Sequence, residues 1–264
     1  LESNKSKFQL PVLPVEDYPN LSQGNFPVNF NLNVEDLCKI IDKTKFAISM
    51  EETRYYLNGI YLHKHNNKLI SVATDGHRLA RTSVDLPNGA NLPNGVIIPR
   101  KAIYEIRKLI DDYSNDEIVS ISISDNKIRV KIRNSVITSK LIDGNFPDYE
   151  KVIPKENSNI LSLDCLAFSE SVDRVSTIFS DKSRSVRISL SNNRLSLEAN
   201  SPDTGSASEE IEISYVNEEM SIGFNSKYLL DVTSQVGSGN FNISLKDSGS
   251  PALITMTDDT ETLF

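Results

Sequence analysis

Apolar and polar residues alternate along much of this chain, which is the pattern of strands that bury one face. Three such runs lie between residues 119 and 140, separated by short polar turns at 124–126 and 134–135. Two more pairs of runs surround the Asn-Asn dipeptides at 66–67 and 192–193. Because polar turns between alternating runs are typical of hairpins, the pattern predicts several antiparallel sheets.

Four other segments place apolar residues three and four positions apart, as one face of a helix requires. In the first of them the apolar positions include Leu37, Ile40 and Ile41, and Asn33 is suited to cap the first turn. Strands combined with only a few helices indicate an α+β fold. We predict helices over 34–48, 100–113, 163–179 and 226–236.

The order of these elements occurs twice along the chain. In each half a helix precedes an Asn-Asn hairpin, and the hairpin precedes a second helix. The hairpin turns are 126 residues apart, and Cys38 and Cys165, on the first helix of each half, are 127 apart. So long a period indicates duplicated domains, although two unrelated α+β domains agreeing by chance is the alternative. The matching order favours duplication, with Cys38 and Cys165 at equivalent places.

The repeat also predicts domain boundaries. The two copies span 27–150 and 159–264. Phe8, Leu10, Leu13 and Tyr18-Pro19 match residues 136–147 at an offset of 128, with Tyr18-Pro19 opposite Phe146-Pro147. This match predicts that residues 1–26 are the last strand and exit linker of an earlier copy. The chain ends at Phe264, inside a segment that the repeat predicts to be a strand. We therefore expect a longer protein cut at both ends.

Charge and composition limit the classes of function. The chain carries 28 basic and 36 acidic side chains, a net charge of −8, so general attraction to nucleic acid is not expected, although a local basic patch is compatible with this charge. Two cysteines and three histidines are too few for a disulfide framework or a zinc site, so we expect no cofactor and a reducing compartment. No apolar run approaches the roughly 18 residues that span a membrane.

Three strings of residues closely resemble one protein family, and the Gly-Phe-Asn string at 223–225 fits the same pattern. The family is the bacterial DNA polymerase III beta subunit, the replicative sliding clamp, and the resemblance extends over nearly the whole chain. The most specific string is the one at 74–80. The three strings are Arg-Tyr-Tyr-Leu-Asn-Gly at 54–59, Thr-Asp-Gly-His-Arg-Leu-Ala at 74–80 and Gly-Asn-Phe-Pro-Asp-Tyr at 144–149.

The resemblance implies a fold and a function. Residues 1–26 would be the end of the first clamp domain, 27–150 the second and 159–264 the third, each complete domain having two helices that back antiparallel sheets. Family members are head-to-tail homodimers that form a ring, with helices lining the hole. Such a clamp is not an enzyme. In the bacterial cytoplasm it encircles duplex DNA without regard to sequence and tethers the DNA polymerase III alpha subunit, the clamp loader, other polymerases and repair proteins by their short linear motifs.

The resemblance also implies a partner-peptide groove between the second and third domains. Leu57, Leu79, Pro147 and Val152 would form its apolar pocket. Gly249, with its neighbours Ser250 and Pro251, would form the far wall, and it stands where members often carry a larger apolar residue. The short C-terminal tail of the family, which adds Met and Pro to the groove, would follow Phe264. The matching residues are Arg54, Leu57, Thr74, Gly76, His77, Arg78, Leu79, Pro147, Val152, Asn225, Tyr228 and Gly249.

Two further surfaces follow from the resemblance. Ile178 and Phe179 would help to form the dimer edge, and we expect them to be exposed in this chain. The four helices together are less acidic than the rest of the chain, which fits a lining that faces DNA but is also typical of ordinary solvated helix faces. The DNA-facing residues would be Glu51, Tyr55, Tyr56, Arg100 and Lys101.

Two other interpretations are compatible with the sequence. Asp75, His77 and Ser83 have the chemistry of a hydrolytic triad, but no Gly-x-Ser-x-Gly elbow accompanies them, and Asp75-Gly76 is an ordinary turn sequence. A nucleophile within hydrogen-bond reach of His77 would support a hydrolase. The second alternative is an adaptor with two α+β domains and no role with nucleic acid. No Gly-rich phosphate loop is present, so the chain cannot power its own opening on DNA.

Overall fold

The computed structural model describes residues 1–17, 24–92, 94–179 and 184–264. At the N-terminus, β1 (Glu2–Ser3) and β2 (Ser6–Lys7) form a short hairpin, and residues 1–17 are all exposed. The match of Tyr18-Pro19 to Phe146-Pro147 lies outside the described residues. No helix in the described parts of the chain is both long and apolar enough to cross a membrane.

The first half contains two four-stranded antiparallel sheets, in the orders β10-β9-β8-β3 and β6-β5-β4-β7. Both sheets and two adjacent helices enclose one apolar core. The elements are β3 (Val28–Asn33), α1 (Val34–Lys45), β4 (Gly59–His65), β5 (Lys68–Thr74), β6 (Leu79–Asp85), β7 (Val96–Pro99), α2 (Arg100–Ile110), β8 (Ile118–Ile123), β9 (Lys127–Ile132) and β10 (Ser135–Lys140).

The second half repeats this arrangement, with sheets in the orders β14-β13-β12-β15 and β11-β16-β17 around a second core. Its helices also pack against each other. The elements are β11 (Asn159–Asp164), α3 (Cys165–Ser176), β12 (Ser185–Ser191), β13 (Arg194–Ser201), β14 (Gly205–Glu212), β15 (Met220–Asn225), α4 (Ser226–Val236), β16 (Asn240–Leu245) and β17 (Leu253–Met256).

Strand order agrees between the halves, but the two cysteines are not equivalent. Helices α2 and α4 begin 126 residues apart, whereas α1 and α3 begin 131 apart. The segment that follows α1 (46–58) is five residues longer than the one that follows α3 (177–184). Cys165 is therefore the counterpart of Val34, and the prediction that Cys38 and Cys165 occupy equivalent places is wrong.

Three of the four helices begin at a side-chain cap. Asn33 Oδ1 accepts a hydrogen bond from the Asp36 amide at 2.7 Å, as predicted, and Asp164 caps α3 in the same way. The helices at 34–45, 100–110 and 165–176 are shorter than predicted. The apolar spacing continues into the following turns, because residues there such as Ala47 and Tyr113 still pack against the same core.

The two halves join through the end of the chain. Arg81 and Leu263 exchange two backbone hydrogen bonds of 2.9 Å, and Ile254 and Phe264 exchange two more of 2.9 Å. Residue 263 thus links the sheet that contains β17 to the sheet that contains β6. The rings of Phe46 and Phe264 also meet across the junction, 5.6 Å apart. This continuous sheet places the 74–79 turn opposite the start of α4.

Candidate binding cleft

A cleft of about 800 Å³ lies at the junction of the two halves. One wall comes from the 74–79 turn and the segment 147–154, and the other from α4 and residues 248–254. Eleven of the twelve residues proposed for a groove line this cleft. They are Arg54, Leu57, Thr74, Gly76, His77, Arg78, Leu79, Pro147, Val152, Tyr228 and Gly249.

Asn225 does not line the cleft, contrary to the prediction. Its side-chain oxygen accepts a hydrogen bond from the Lys227 amide at 3.0 Å and caps α4. The last residue of a strand that leads directly into a helix is well placed to cap that helix. Asn225 therefore stabilises the wall without facing the cavity.

Many other residues line the cleft, and most of them could not be found from sequence. Ile153 and Pro154 directly follow the predicted Val152, so extending that segment by two residues would have predicted them. Phe46 and Phe264 are 218 positions apart and come together only through the joined sheets. Ser250 and Pro251 line the cleft beside Gly249, where the resemblance places them. The remaining lining residues are Tyr56, Asp148, Tyr149, Ile222, Gly223, Phe224, Leu229, Val232, Ser248, Ala252, Leu253, Ile254 and Leu263.

The turn before β6 fixes the position of His77. Asp75 Oδ1 accepts hydrogen bonds from the amides of His77 at 2.9 Å and Arg78 at 3.0 Å. Gly76 has a φ of 88°, which favours glycine, and a Cβ there would lie 2.4 Å from Arg54 Nη1. The Asp-Gly turn therefore leaves room for Arg54 and holds His77 exposed at the rim.

Arg78 connects the two walls of the cleft. Its guanidinium donates to Asp75 at 3.1 Å, to Asp231 at 2.5 Å and to the Phe46 carbonyl at 2.7 Å. The same group lies 4.4 Å from the centre of the Tyr228 ring. Burial raises the pKa of Tyr228, and the neighbouring Asp75 raises it further. Tyr228 therefore keeps its proton and presents a neutral ring to Arg78.

The apolar side chains lie at different depths. Leu57 is only 4% exposed, and Leu79 is half-buried against a cluster that contains Ile70 and Tyr149. Val152 is 61% exposed and lies at the mouth of the cleft, so it does not line a deep subsite as predicted. The difference arises because Val152 ends a short turn, beyond the sheet that buries Leu79.

The geometry does not form a hydrolytic triad. Asp75 bonds the turn amides and Arg78, and Ser83 is buried on β6, where its hydroxyl donates to the carboxylate of Glu261. No nucleophile activated by His77 is therefore assembled among the described residues. In the same parts of the chain, no group of three His, Cys, Asp or Glu side chains is arranged to hold a metal ion.

The loop proposed to face DNA is exposed but internally paired. Glu51 forms an ion pair of 2.8 Å with Arg54, and this hydrogen bond lowers the pKa of Glu51. Tyr55 is 54% exposed, and its ring meets that of Tyr56 edge to face. Arg54 therefore already neutralises the Glu51 carboxylate on this loop.

The four helices lie side by side in the order α2, α1, α4, α3. Helix α1 packs on α2, Lys43 of α1 donates to the Gln235 carbonyl of α4, and α4 packs on α3. Arg100 and Lys101 begin α2, and no acidic partner lies within ion-pair distance of either among the described residues. Both cations are therefore available to an external anion.

Ile178 and Phe179 are half-buried against the second core, so the expectation that both are exposed is wrong. They follow α3 directly, and the apolar stripe of that helix continues through them. The neighbouring strand β14 forms one edge of its sheet. Its Glu209 accepts hydrogen bonds from Ser171 at 2.7 Å and Arg174 at 2.6 Å, which attach the edge strand to α3.

A duplicated α+β chain whose sheets run across the junction of its halves, with a largely apolar cleft at that junction, has the architecture of a binding protein. The comparisons identify its family. Residues 31–148 match the family model of the DNA polymerase III beta subunit, central domain, and residues 150–263 match that of the C-terminal domain. The chain therefore belongs to the DNA polymerase III beta subunits, the DNA sliding clamps.

Individual relatives agree with this assignment. The beta sliding clamp of Caulobacter vibrioides is 44% identical over 96% of this chain and 69% of its own length. A sliding clamp structure from Bartonella birtlesii, bound to griselimycin, has a TM-score of 0.92 and 46% identity, over 97% of this chain and 70% of that one. A Caulobacter crescentus clamp, with polyethylene glycol at a proposed beta-motif tethering region, has a TM-score of 0.93 and 43% identity, over 98% and 70%.

Membership of this family settles the general function. The chain is a DNA sliding clamp, a processivity subunit of bacterial DNA replication, and it is not an enzyme. Its partners as a class are DNA and DNA polymerase. The readings as a hydrolase or as an adaptor without a role in replication are not favoured.

Proposed function

We propose that this clamp encircles duplex DNA in the bacterial cytoplasm and holds its partners through the cleft between the two halves. The partners would be the DNA polymerase III alpha subunit, the clamp loader, other polymerases and repair proteins, each contributing a short linear motif. The observation that carries this proposal is the cleft itself, in which apolar side chains from 147–154 face α4. The domains would be the first-domain remnant 1–26, the second domain 27–150 and the third domain 159–264.

The chemistry of the cleft suits a short peptide with one or two apolar anchors. Leu57 and Leu79 offer an apolar floor, and Arg54 and His77 offer polar groups at the rim. A short peptide buries too little surface to bind by area alone, so its anchors must supply most of the affinity. Fully burying a Leu or Phe side chain contributes roughly 1.5–3 kcal/mol, which is enough for reversible binding.

The row of four helices is the surface that we propose for DNA. Arg100 and Lys101, at the start of α2, would contact phosphates, with the exposed loop of Glu51, Tyr55 and Tyr56 nearby. Most cations of α1 are committed to pairs within the protein, such as Lys45 with Asp42. Few free cations and no base contacts would let a clamp slide, because phosphate contacts carry no sequence information.

We further propose that the full-length protein is a homodimer and that its edge includes β14, Ile178 and Phe179. An edge strand has unpaired backbone groups that another strand can complete. Ile178 and Phe179 are half-buried and would support that edge from beneath.

Retention on circular DNA tests the clamp function directly. The full-length protein, loaded by its clamp loader onto nicked circular DNA, should elute with the DNA on gel filtration. Linearising the circle should release it, because a ring that binds phosphates weakly slides off free ends. Equal retention on circular and linear DNA would contradict encirclement.

A further inference from the structure

A ladder of four aromatic rings attaches one wall of the cleft to the outer face of a sheet. The ring of Phe146 stacks on Tyr61 with centroids 4.8 Å apart and planes 7° apart. Tyr61 stacks in turn on His63, also at 4.8 Å. His63 Nε2 lies 2.9 Å from the hydroxyl of Tyr149. The ladder therefore joins two residues of β4 to two residues of the segment that leads into the wall.

The last ring of the ladder belongs to the turn that carries Val152. Tyr149 is only 5% exposed and is the first residue of a single 3-10 turn, Tyr149–Lys151. The Val152 amide donates to the Tyr149 carbonyl at 3.1 Å. Tyr149 also packs with Leu79 and Ile153, which both line the cleft. Whatever holds Tyr149 in place therefore also positions Val152 and Ile153, which follow it on the same segment.

The hydrogen-bond pattern favours one state of the imidazole. His63 Nδ1 lies 3.4 Å from the Lys64 carbonyl, so a hydrogen on Nδ1 faces this oxygen and leaves Nε2 to accept from the Tyr149 hydroxyl. Burial lowers the pKa of His63 below its usual value of 6.5, and the neutral ring is the stable form at neutral pH. The Tyr149 hydroxyl also accepts a hydrogen bond from the Arg81 guanidinium.

The charges around His63 decide what protonation does. Arg81 on β6 and His65 on β4 oppose a positive imidazole, and Glu150 on the 3-10 turn favours one. Burial outweighs Glu150, so the charged ring is disfavoured in the packed ladder. A protonated Nε2 can also no longer accept the Tyr149 hydroxyl hydrogen. Protonation therefore favours conformations in which the ladder is open.

We propose that His63 is a positioning residue for the cleft: the neutral imidazole holds the Tyr149 turn, and protonation releases this wall and weakens peptide binding. This inference rests on the proposed function of the cleft. A peptide that binds only when the Tyr149 turn is held in place binds in proportion to the population of that conformation. The affinity should therefore fall as the pH decreases from 7.5 to 5.5.

The test is a titration of a fluorescein-labelled peptide carrying the clamp-binding motif of a polymerase III alpha subunit, followed by anisotropy at pH 7.5 and 5.5. In His63→Ala the affinity at pH 7.5 should fall by about threefold to tenfold, the equivalent of one lost hydrogen bond. In His63→Gln, whose amide oxygen can accept from Tyr149 but cannot titrate, the affinity should approach wild type and lose most of its pH dependence. His65→Gln is the control at pH 7.5, because His65 is exposed on the same strand and its loss leaves the bond between His63 and Tyr149 in place, so its affinity should match wild type.

Two further measurements distinguish the role of His63 from that of the other histidines. The rate of amide hydrogen exchange in residues 146–154 should increase in His63→Ala and should not increase in His65→Gln. His77 is another histidine that lines the cleft, so His77→Gln must keep the pH dependence that His63→Gln loses. Wild-type affinity in His63→Ala, or an unchanged pH dependence in His63→Gln, would overturn the role of His63. If Leu79→Asp binds the peptide like wild type, the cleft itself is not the site, and the proposed function fails instead.

Discussion

Arg78 and Asp231 form a salt bridge of 2.5 Å that joins the two halves of the chain directly beneath the cleft. The guanidinium of Arg78 also bonds Asp75 on its own turn and the Phe46 carbonyl, and it packs against the Tyr228 ring. Its side chain is only 15% exposed, so the pair is largely shielded from solvent. Because Arg78 has several partners within this junction, removing Arg78 and removing Asp231 should destabilise the protein by different amounts.

Removing Arg78 should destabilise the protein more than removing Asp231. Arg78→Ala leaves two carboxylates without their partner and should lower the free energy of unfolding by about 3 kcal/mol. Asp231→Ala leaves Arg78 still paired with Asp75 and should cost about 1 kcal/mol. Urea denaturation followed by circular dichroism measures both values. Asp85→Ala, which removes an exposed partner of Lys68, is the control and should be nearly neutral.

A charge at the mouth of the cleft should prevent peptide binding without unfolding the protein. In Val152→Asp, the affinity for the same labelled peptide should fall about tenfold or more, because an apolar anchor would be placed against a carboxylate. Val152 is 61% exposed, so the melting temperature should hardly change. Val216→Asp is the matched control, since Val216 is 84% exposed and lies outside the cleft. Equal affinity in both variants would place the peptide elsewhere.

Leu79→Asp should abolish peptide binding at some cost in stability. Leu79 packs against the cluster of Ile70, Val72 and Tyr149, so a carboxylate there is partly desolvated. We expect a loss of affinity at least as large as that of Val152→Asp, with a melting temperature that is lower but still above the assay temperature. Peptide titration and thermal denaturation measure the two effects separately. Undiminished binding by folded Leu79→Asp protein would contradict the assignment.

Arg100 and Lys101 should contribute to DNA binding through charge alone. Replacing either with Ala should weaken binding of the full-length protein to duplex DNA and reduce the slope of log affinity against log salt by about 1. The loss should be the same for duplexes of different sequence. Lys246→Ala is the control, because Lys246 lies outside the four helices and pairs with Glu156. An unchanged salt slope in both helix variants would exclude this surface.

Glu209 should make the attachment of β14 sensitive to acid. Hydrogen bonds from Arg174 and Ser171 lower the pKa of Glu209 from 4.5 to about 2. A lowered pKa means that the stabilisation is complete above pH 4.5 and is lost as the pH falls from 4.5 towards 2. The stability difference between wild type and Glu209→Gln should therefore be larger at pH 6 than at pH 3.

Urea midpoints of both proteins at the two pH values provide the measurement. Glu210→Gln is a suitable control, because Glu210 lies on the same strand in an exposed pair with Arg194. At pH 6, the stability difference between wild type and Glu210→Gln should be smaller than that between wild type and Glu209→Gln. A difference for Glu209→Gln that is independent of pH would show that the carboxylate charge is not what stabilises this edge.

The sequence by itself determined the elements and their repetition. Alternation of apolar residues located the hairpins, and Asn33 marked the start of α1 correctly, because these signals depend on neighbours within a few positions. The string at 74–80 was specific enough to indicate the family. Helix ends were less accurate, since residues after α1 such as Ala47 and Ile48 remain buried beyond the last helical turn.

Only the tertiary structure decided which side chains share the cleft and how they are held. Asn225 and Tyr228 are three positions apart, yet one caps α4 and the other faces the cavity. The bond of Arg78 to Asp231 and the ladder from Phe146 to His63 join residues separated by 153 and 83 positions. No local pattern encodes such contacts, because each depends on the packing of whole sheets against each other. The sequence therefore specified the parts of this clamp, and the long-range packing of its two halves created the binding site.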